Sequence, residues 1–188
     1  MLEPDNARTF FPCNDEPYDK ATTEVLISVP SGYDVVSNGA KISDLPHHKE
    51  GKSWHTVHWR LNKPHSTYLL SIAIAPFSKI VDQVKGKEIS LFMGRAQIEK
   101  GRYALETTKR SFEFFERYLR TPYPWPKYAT VGVPTFLWGG MENTSATHMN
   151  EARILLNDPK SASDKKHITG LAAHELAHQW FGDYVTLK

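Results

Sequence analysis

The first half of the chain shows short apolar runs and alternating polarity, which are the patterns of β-strands. Residues 24–29 form an apolar run that ends at a Pro-Ser-Gly turn, and residues 54–61 alternate between apolar and polar side chains. Residues 67–75 resemble a strand that is buried on both faces. Residues 34–39 end in Ser-Asn-Gly, which predicts a hairpin turn. The pattern predicts an antiparallel β-sandwich-like part over residues 1–84.

The pattern changes near residue 85, where strands begin to alternate with longer helical segments. The predicted elements are a strand at residues 89–93, a helix at 96–120, a strand at 128–133 and a last helix that includes 171–181. Ser163 or Asp164 is the predicted N-cap of this last helix, and Gly182 is expected to follow its end. The chain is therefore predicted to have an α+β fold with a boundary between residues 84 and 85.

Composition narrows the classes of function. Of the 188 residues, 40% are hydrophobic and 12% aromatic, which is ample for a packed core. Lys and Arg (23) nearly balance Asp and Glu (21), so we expect no nucleic-acid partner. No apolar run approaches the roughly 20 residues of a membrane-spanning helix, so we expect no membrane segment, and no targeting signal assigns a compartment. The single cysteine, Cys13, excludes an internal disulfide.

One short motif carries metal-binding chemistry, His174-Glu175-Leu176-Ala177-His178. Positions four apart on an α-helix lie on one face, so the two imidazoles can share one metal ion, for which Zn²⁺ is suited. The carboxylate beside them can take a proton from water, which is the metalloprotease interpretation of His-Glu-x-x-His. The alternative is a pair of histidines that are merely hydrogen-bonded in an apolar core, since the surrounding helix is rich in apolar residues.

Other histidines cluster in the predicted β part and form a second candidate metal site. They are His47, His48, His55, His58 and His65. In a strand, His55 and His58 would point to opposite faces, and His47 and His48 lie in a polar loop. We interpret this group as surface residues rather than metal ligands.

A second motif, Gly-Gly-Met-Glu-Asn at residues 139–143, lies upstream of the predicted metal helix. Its two glycines allow another backbone to approach closely, and the carboxylate of Glu142 can bind a cation. Taken alone, this motif is more typical of an ordinary turn. The helix downstream makes it a candidate substrate-binding loop.

Together, the two motifs resemble the signatures of the M1 family of zinc aminopeptidases, Gly-x-Met-Glu-Asn followed by His-Glu-x-x-His. Residues 11–17, 66–70 and 123–127 are also similar to family segments, so the resemblance extends over nearly the whole chain. It implies that residues 1–84 are the C-terminal portion of the family's N-terminal β domain. Residues 85–188 would then be the N-terminal half of a thermolysin-like α/β zinc peptidase domain.

The resemblance also implies roles for individual residues. The implied zinc ligands are His174 and His178, the general base is Glu175, the residue that binds a substrate's α-amino group is Glu142, and the backbone strip along the substrate is Gly139, Gly140 and Met141. The implied activity is removal of N-terminal residues from peptides with a free N-terminus, with Zn²⁺ as cofactor. Two related activities stay open, a thermolysin-type endopeptidase and a leukotriene A4 hydrolase-like epoxide hydrolase. A carboxylate that binds the amino group argues against the endopeptidase.

The family's third zinc ligand is a Glu roughly twenty residues beyond the second histidine of the motif, whereas this chain ends at Lys188. We therefore expect the third ligand and the family's oxyanion-stabilising tyrosine to lie beyond the chain end. The 188-residue fragment is expected to be inactive by itself. The alternative hypothesis is a non-catalytic folded fragment that binds peptide N-termini weakly. Surfaces exposed by the truncation are expected to favour self-association.

Overall fold

Strands make up most of the first part of the molecule, and the described α-helices lie in the second part. The computed structural model describes residues 6–154 and 161–186. The strands are β1 (Ala21–Pro30), β2 (Asp34–Ser37), β3 (Ala40–Lys49), β4 (Lys52–His65), β5 (Ile72–Ala75), β6 (Phe77–Val84), β7 (Lys87–Gly94), β8 (Lys127–Val133), β9 (Gly140–Met141) and β10 (Ala146–Asn150). The helices are α1 (Arg102–Leu119), α2 (Glu151–Ile154) and α3 (Ala162–His178). This order confirms the predicted α+β class.

β1, β4 and β3 form an antiparallel sheet with β4 in the centre. β4 extends beyond the predicted residues 54–61 at both ends, but it keeps the predicted alternation. Val57, Trp59 and Leu61 are buried, whereas Arg60 between them is exposed. Because side chains at every second position of a strand lie on the same face, this pattern places one face of the sheet in the core.

The turn at residues 37–39 does not form the predicted hairpin. It carries the chain from β2, which pairs with β5, into β3, which pairs with β4. Gly39 has a φ of +81°, and a Cβ at this position would lie 2.7 Å from the backbone nitrogen of Leu61. The Asn38 side chain donates to the carbonyl of Thr144 over 2.7 Å instead of closing a local turn. The hairpin prediction is wrong because long-range contacts place the two flanking strands in different sheets.

Residues 67–75 form a strand only in their second half. Thr67–Leu69 make a 3-10 turn, and the strand β5 begins at Ile72. Ile74 in this strand is 45% exposed, so β5 is not buried on both faces as predicted. Among the residues that the structure describes, this strand pairs only with β2 in a two-stranded sheet, which leaves part of it open to solvent.

The surface interpretation of the histidines in the β part is wrong for one of them. His55 is consistent with it, since its Nδ1 lies 2.5 Å from a carboxylate oxygen of Asp44 in an exposed pair. His65, in contrast, is 1% exposed, and its Nε2 lies 3.1 Å from the hydroxyl of Thr23. Burial lowers the pKa of His65 to about 4.

The second part of the chain is built on a five-stranded mixed sheet in the order β6-β7-β8-β10-β9. β7, β8 and β10 run parallel, and the two edge strands are antiparallel to their neighbours. α1 and α3 pack on this sheet through a buried apolar cluster that includes Leu91, Phe112 and Leu176. The edge strand β9 consists of Gly140 and Met141, so the second sequence motif lies at the border of the sheet.

The predicted domain boundary between residues 84 and 85 lies in the turn between β6 and β7. These two strands form an antiparallel hairpin within the five-stranded sheet. Strand pairing therefore groups β6 with the second part of the chain. The division into domains at 1–84 and 85–188 stays a prediction.

α1 begins later than the sequence predicts, and α3 begins earlier. A 3-10 turn at Ile98–Gly101 precedes α1. The N-cap of α3 is Ser161, whose hydroxyl accepts a hydrogen bond from Asp164 N over 3.0 Å while the Asp164 carboxylate accepts one from Ser161 N. The N-cap prediction is thus wrong, because this capping box starts the helix before Ser163. Within the described residues, no helix combines the length and the apolar character needed to cross a bilayer.

Candidate active site

His174 and His178 lie side by side on one face of α3. Their Nε2 atoms are 3.1 Å apart, and their ring centroids are 4.7 Å apart. Two nitrogen ligands of a tetrahedral Zn²⁺, each about 2.0 Å from the ion, would lie about 3.3 Å apart. The spacing of His174 and His178 therefore fits two ligands of one ion.

A backbone contact determines the tautomer of His178. Its Nδ1 lies 3.1 Å from the carbonyl oxygen of Phe181, which can only accept a hydrogen bond. Nδ1 of His178 must therefore carry the proton, and in the neutral ring Nε2 has a lone pair that faces Nε2 of His174. The sharp end of α3 makes this contact, since the chain turns back so that Asp183 N donates to the carbonyl of His178 over 3.0 Å.

Glu175 has a different environment from that of the histidines beside it. The residue is 4% exposed, whereas His174 is exposed. Its side chain lies against the backbone of Gly140, where an added Cβ would be 2.5 Å from Cδ and 2.8 Å from Cγ of Glu175. A larger residue than glycine would force this carboxylate to shift, so the two sequence motifs meet at this contact.

The glycine-containing motif forms the free edge of the five-stranded sheet. Met141 pairs with His148 and Gly140 with Met149 across β9 and β10. The carbonyl of Gly139 accepts a hydrogen bond from Asn150 N over 2.8 Å, which extends the pairing by one residue. Within the described residues, the other edge of β9 pairs with no strand.

Glu142 follows β9 directly and is partly exposed. Its carbonyl oxygen accepts a hydrogen bond from Nε2 of Gln179 over 2.8 Å. Its carboxylate and that of Glu175 contribute to raising the pKa of Asp183 well above its usual range, although burial is the main cause. The negative charges of Glu142 and Glu175 are therefore close enough to affect the ionisation of Asp183.

Sequence reasoning missed two buried polar residues that support this site. Gln179 is fully buried, and its Nε2 donates a hydrogen bond to the carbonyl of Glu142. Lys127 is 5% exposed and donates to the carbonyls of Ser37 and Ser145, each over 2.9 Å. Burial lowers the pKa of Lys127 to about 7. The only signal in the sequence is a polar residue in an otherwise apolar stretch, which is too common to single them out.

The structure brings together some of the predicted site residues and leaves the metal set incomplete. His174 and His178 form a pair, and Glu175 contacts Gly140. Across residues 6–154 and 161–186, no group of three His, Cys, Asp or Glu side chains could hold a metal ion. The functional roles of these residues stay predictions.

Comparison with known proteins identifies the family on both parts of the chain. Residues 103–188 match the model of the Peptidase family M1 domain, and residues 1–69 match that of the Peptidase M1 N-terminal domain. The leucyl aminopeptidase of Saccharolobus solfataricus is 36% identical over 188 residues, which are 100% of this chain and 23% of that protein.

Animal relatives have similar identity and similar coverage. Aminopeptidase Ey of Gallus gallus is 37% identical over 191 residues, with 100% of this chain and 20% of that protein covered. Glutamyl aminopeptidase of Sus scrofa is 34% identical over 191 residues, with 99% and 20% covered. The chain thus spans about a quarter of the length of its relatives or less. Since the two family models together match most of its residues, the chain belongs to peptidase family M1.

Proposed function

We propose that the protein containing this chain is a zinc-dependent aminopeptidase that hydrolyses peptides at their free N-termini. Relatives that match along the whole chain are named aminopeptidases. The single observation that carries the proposal is the contact between Glu175 and Gly140. It joins the helix with the paired histidines to the strand that leads into Glu142, so a metal-ligand pair and an amine-binding carboxylate can serve one substrate.

His174 and His178 would hold Zn²⁺ through their Nε2 atoms, which lie 3.1 Å apart. When bound, Zn²⁺ supplies Lewis-acid chemistry, because it polarises a carbonyl oxygen and makes water more acidic. A catalytic Zn²⁺ site normally has three protein ligands. The described residues contain no group of three candidates, so we propose that the third ligand comes from outside them.

Glu175 is the proposed general base. A buried carboxylate beside the metal ligands can take a proton from the attacking water and later return it to the departing amine. Packing against Gly140 restricts where this carboxylate can lie. Such restriction favours catalysis, since proton transfer requires the acid or base to be within hydrogen-bond reach of the reacting group.

Glu142 is the proposed partner of the substrate's ammonium group, and β9 is the proposed substrate strip. An extended peptide can add to the free edge of β9 through backbone hydrogen bonds at Gly139, Gly140 and Met141. A carboxylate at the end of that strip would pair with the peptide's N-terminus in a partly dry cleft. This arrangement favours cleavage after the first residue and hence an exopeptidase over an endopeptidase.

The proposal is tested by comparing leucine 4-nitroanilide with its N-acetyl derivative on the full-length protein. We expect turnover of the free amine only, and a large fall in kcat/KM for Glu142→Ala with the zinc content unchanged. Equal turnover of both substrates by the wild-type protein would rule out the aminopeptidase assignment. Conversion of an epoxide fatty acid without peptide hydrolysis would favour the epoxide hydrolase alternative.

We propose that the 188-residue chain is inactive by itself, and this proposal is supported by the lack of a three-residue ligand group among the described residues. Two imidazoles alone should bind zinc weakly and exchangeably. Leu26 and Leu45 are 64% and 63% exposed, which supports the expectation of self-association. Metal analysis and sedimentation of the purified chain test both points. One tightly held zinc per monomeric chain would contradict them.

A further inference from the structure

Gln179 connects the end of the metal helix to both ends of the turn that carries Glu142. The residue follows His178 directly, and it is fully buried. Its Nε2 donates to the carbonyl of Glu142 over 2.8 Å, and its Oε1 accepts from Ser145 N over 2.8 Å. Oε1 also accepts from the hydroxyl of Tyr123 over 3.2 Å. One side chain thus bridges a turn whose ends are three residues apart.

The partners leave the amide of Gln179 only one orientation. The backbone nitrogen of Ser145 can only donate, and the carbonyl of Glu142 can only accept. Turning the amide over would place two acceptors against each other at Glu142 and two donors against each other at Ser145. Because the site is buried, neither group could turn to water for a substitute partner.

The turn is also held on its other side, by Gly39 of the β part and by Lys127 of β8, and Gln179 links it to the metal helix. Ser145 adopts a left-handed conformation with a φ of +62°, which is unfavourable for a residue other than glycine. Its hydroxyl accepts from Gly39 N over 2.7 Å, and its carbonyl accepts from Lys127 Nζ over 2.9 Å. These bonds fix the far side of the turn, and the bonds to Gln179 fix the side that faces α3.

We propose that Gln179 is a positioning residue that sets the location of the Glu142 carboxylate relative to His174 and His178. The inference rests on the proposed function, since it assigns Glu142 to the substrate's ammonium group. Gln179 touches neither the substrate nor the metal in this role. It acts by fixing the peptide group of Glu142 and therefore the direction of its side chain. A displacement of about 1 Å in such a group is enough to impair catalysis strongly.

The test uses two inhibitors of the full-length zinc-loaded protein, leucine hydroxamate and 4-methylpentanohydroxamic acid, which lacks the amino group. In the wild-type protein, the ratio of the two inhibition constants measures recognition of the amine. We expect Gln179→Met to reduce this ratio at least tenfold. The inhibition constant of the amine-free compound and the zinc content should change less than threefold.

Two further variants separate positioning from general damage. Gln179→Glu keeps both acceptor contacts, but it turns an oxygen instead of a donor toward the Glu142 carbonyl and adds a buried negative charge, so it should reduce the ratio as well. It provides a second measurement where Gln179→Met fails to fold. Thr108→Val is the matched control, because it removes another buried hydrogen bond, from its hydroxyl to the carbonyl of Ala104, away from this turn. Thr108→Val should leave the ratio unchanged.

A double-mutant comparison completes the experiment. In a Glu142→Ala background, Gln179→Met should cause no further loss of amine recognition, because its effect passes through Glu142. A ratio that is unchanged in Gln179→Met, or an equal weakening of both inhibitors, would overturn the positioning role alone. A wild-type protein that does not distinguish the two inhibitors would overturn the proposed function of Glu142 and this inference together.

Discussion

The side chain of Glu175 lies against the backbone of Gly140 so closely that a Cβ at Gly140 would overlap it. A Cβ on Gly140 would be 2.5 Å from Cδ and 2.8 Å from Cγ of Glu175. Gly140 does not have a positive φ, so its backbone conformation is open to other residues. The requirement for glycine at this position is therefore one of space, and it determines how near α3 can come to the edge strand β9.

Gly140→Ala should reduce activity through this contact. The new methyl group overlaps the carboxylate of Glu175, which must then move or separate α3 from β9. Because a misplacement of about 1 Å can lower a rate about 100-fold, we expect a loss of that order in kcat/KM with zinc retained. Steady-state kinetics of the full-length protein, together with metal analysis, measure it.

Gly170→Ala is the matched control in α3. An added Cβ at Gly170 has no atom within 4 Å, and alanine is the better helix former by about 1 kcal/mol. This variant should raise the free energy of unfolding by about 0.5–1 kcal/mol and keep its activity within about twofold. Full activity of Gly140→Ala would show that the contact with Glu175 is not needed.

Glu175→Gln should remove the proposed general base and keep the proposed metal ligands His174 and His178. The amide has nearly the same shape as the carboxylate beside Gly140 but cannot take a proton from water. We expect kcat to fall about 10²–10⁴-fold with little change in KM, which is the range for loss of a general base. Steady-state kinetics and metal analysis of the full-length variant test this expectation. A variant that retains wild-type kcat would remove Glu175 from the mechanism.

Gly39→Ala and Gly32→Ala should distinguish the cost of a positive φ from the cost of a steric overlap. Both positions have a positive φ, of +81° and +99° respectively, which costs alanine about 1–2 kcal/mol. At Gly39 the added Cβ also lies 2.7 Å from Leu61 N, whereas at Gly32 no atom is within 4 Å. Urea unfolding should therefore give a loss of about 3 kcal/mol or more for Gly39→Ala and about 1 kcal/mol for Gly32→Ala. Equal losses would mean that the turn between β2 and β3 can relax.

His65 should make the β part sensitive to acid. Burial, with a smaller contribution from the charge of Lys20, lowers its pKa from 6.5 to about 4. As pH falls from 6.5 to 4, the unfolded chain takes up a proton at His65 that the folded chain does not, so stability is lost across this window. The loss should approach about 3 kcal/mol. Hydrogen exchange of the β1 and β4 amides, compared with that of His65→Gln, measures it, and an equal pH dependence in both proteins would contradict it.

The local sequence pattern was sufficient to predict an element wherever the contacts that define the element are close in the chain. The alternation at residues 54–61 predicts β4, because side-chain direction in a strand repeats every two residues. The pairing of His174 with His178 is likewise a property of one helix, since positions four apart share a face in any α-helix. The resemblance of the two motifs to M1 peptidases was enough to predict the family that the comparisons establish.

Local pattern failed where distant contacts decide the conformation. The Asn-Gly turn at residues 38–39 predicts a hairpin, but the bond from Asn38 to Thr144 and the pairing of β2 with β5 lead the chain into another sheet. The buried state of His65 depended in the same way on neighbours that a short window does not include. The start of α3 at Ser161 is a different case, because the capping box that sets it joins residues only three apart and the prediction chose the wrong polar residue.

The sequence by itself determined the chemical identity of the candidate site, because the types of its side chains and their spacing along one helix are local properties. Only the tertiary structure decided that Glu175 would meet Gly140 and that Gln179 would hold the turn after Glu142. Residues 140 and 175 belong to a strand and a helix that approach each other through the packing of the whole sheet. Such contacts form only when the chain has folded, so no pattern within a short stretch of sequence can specify them.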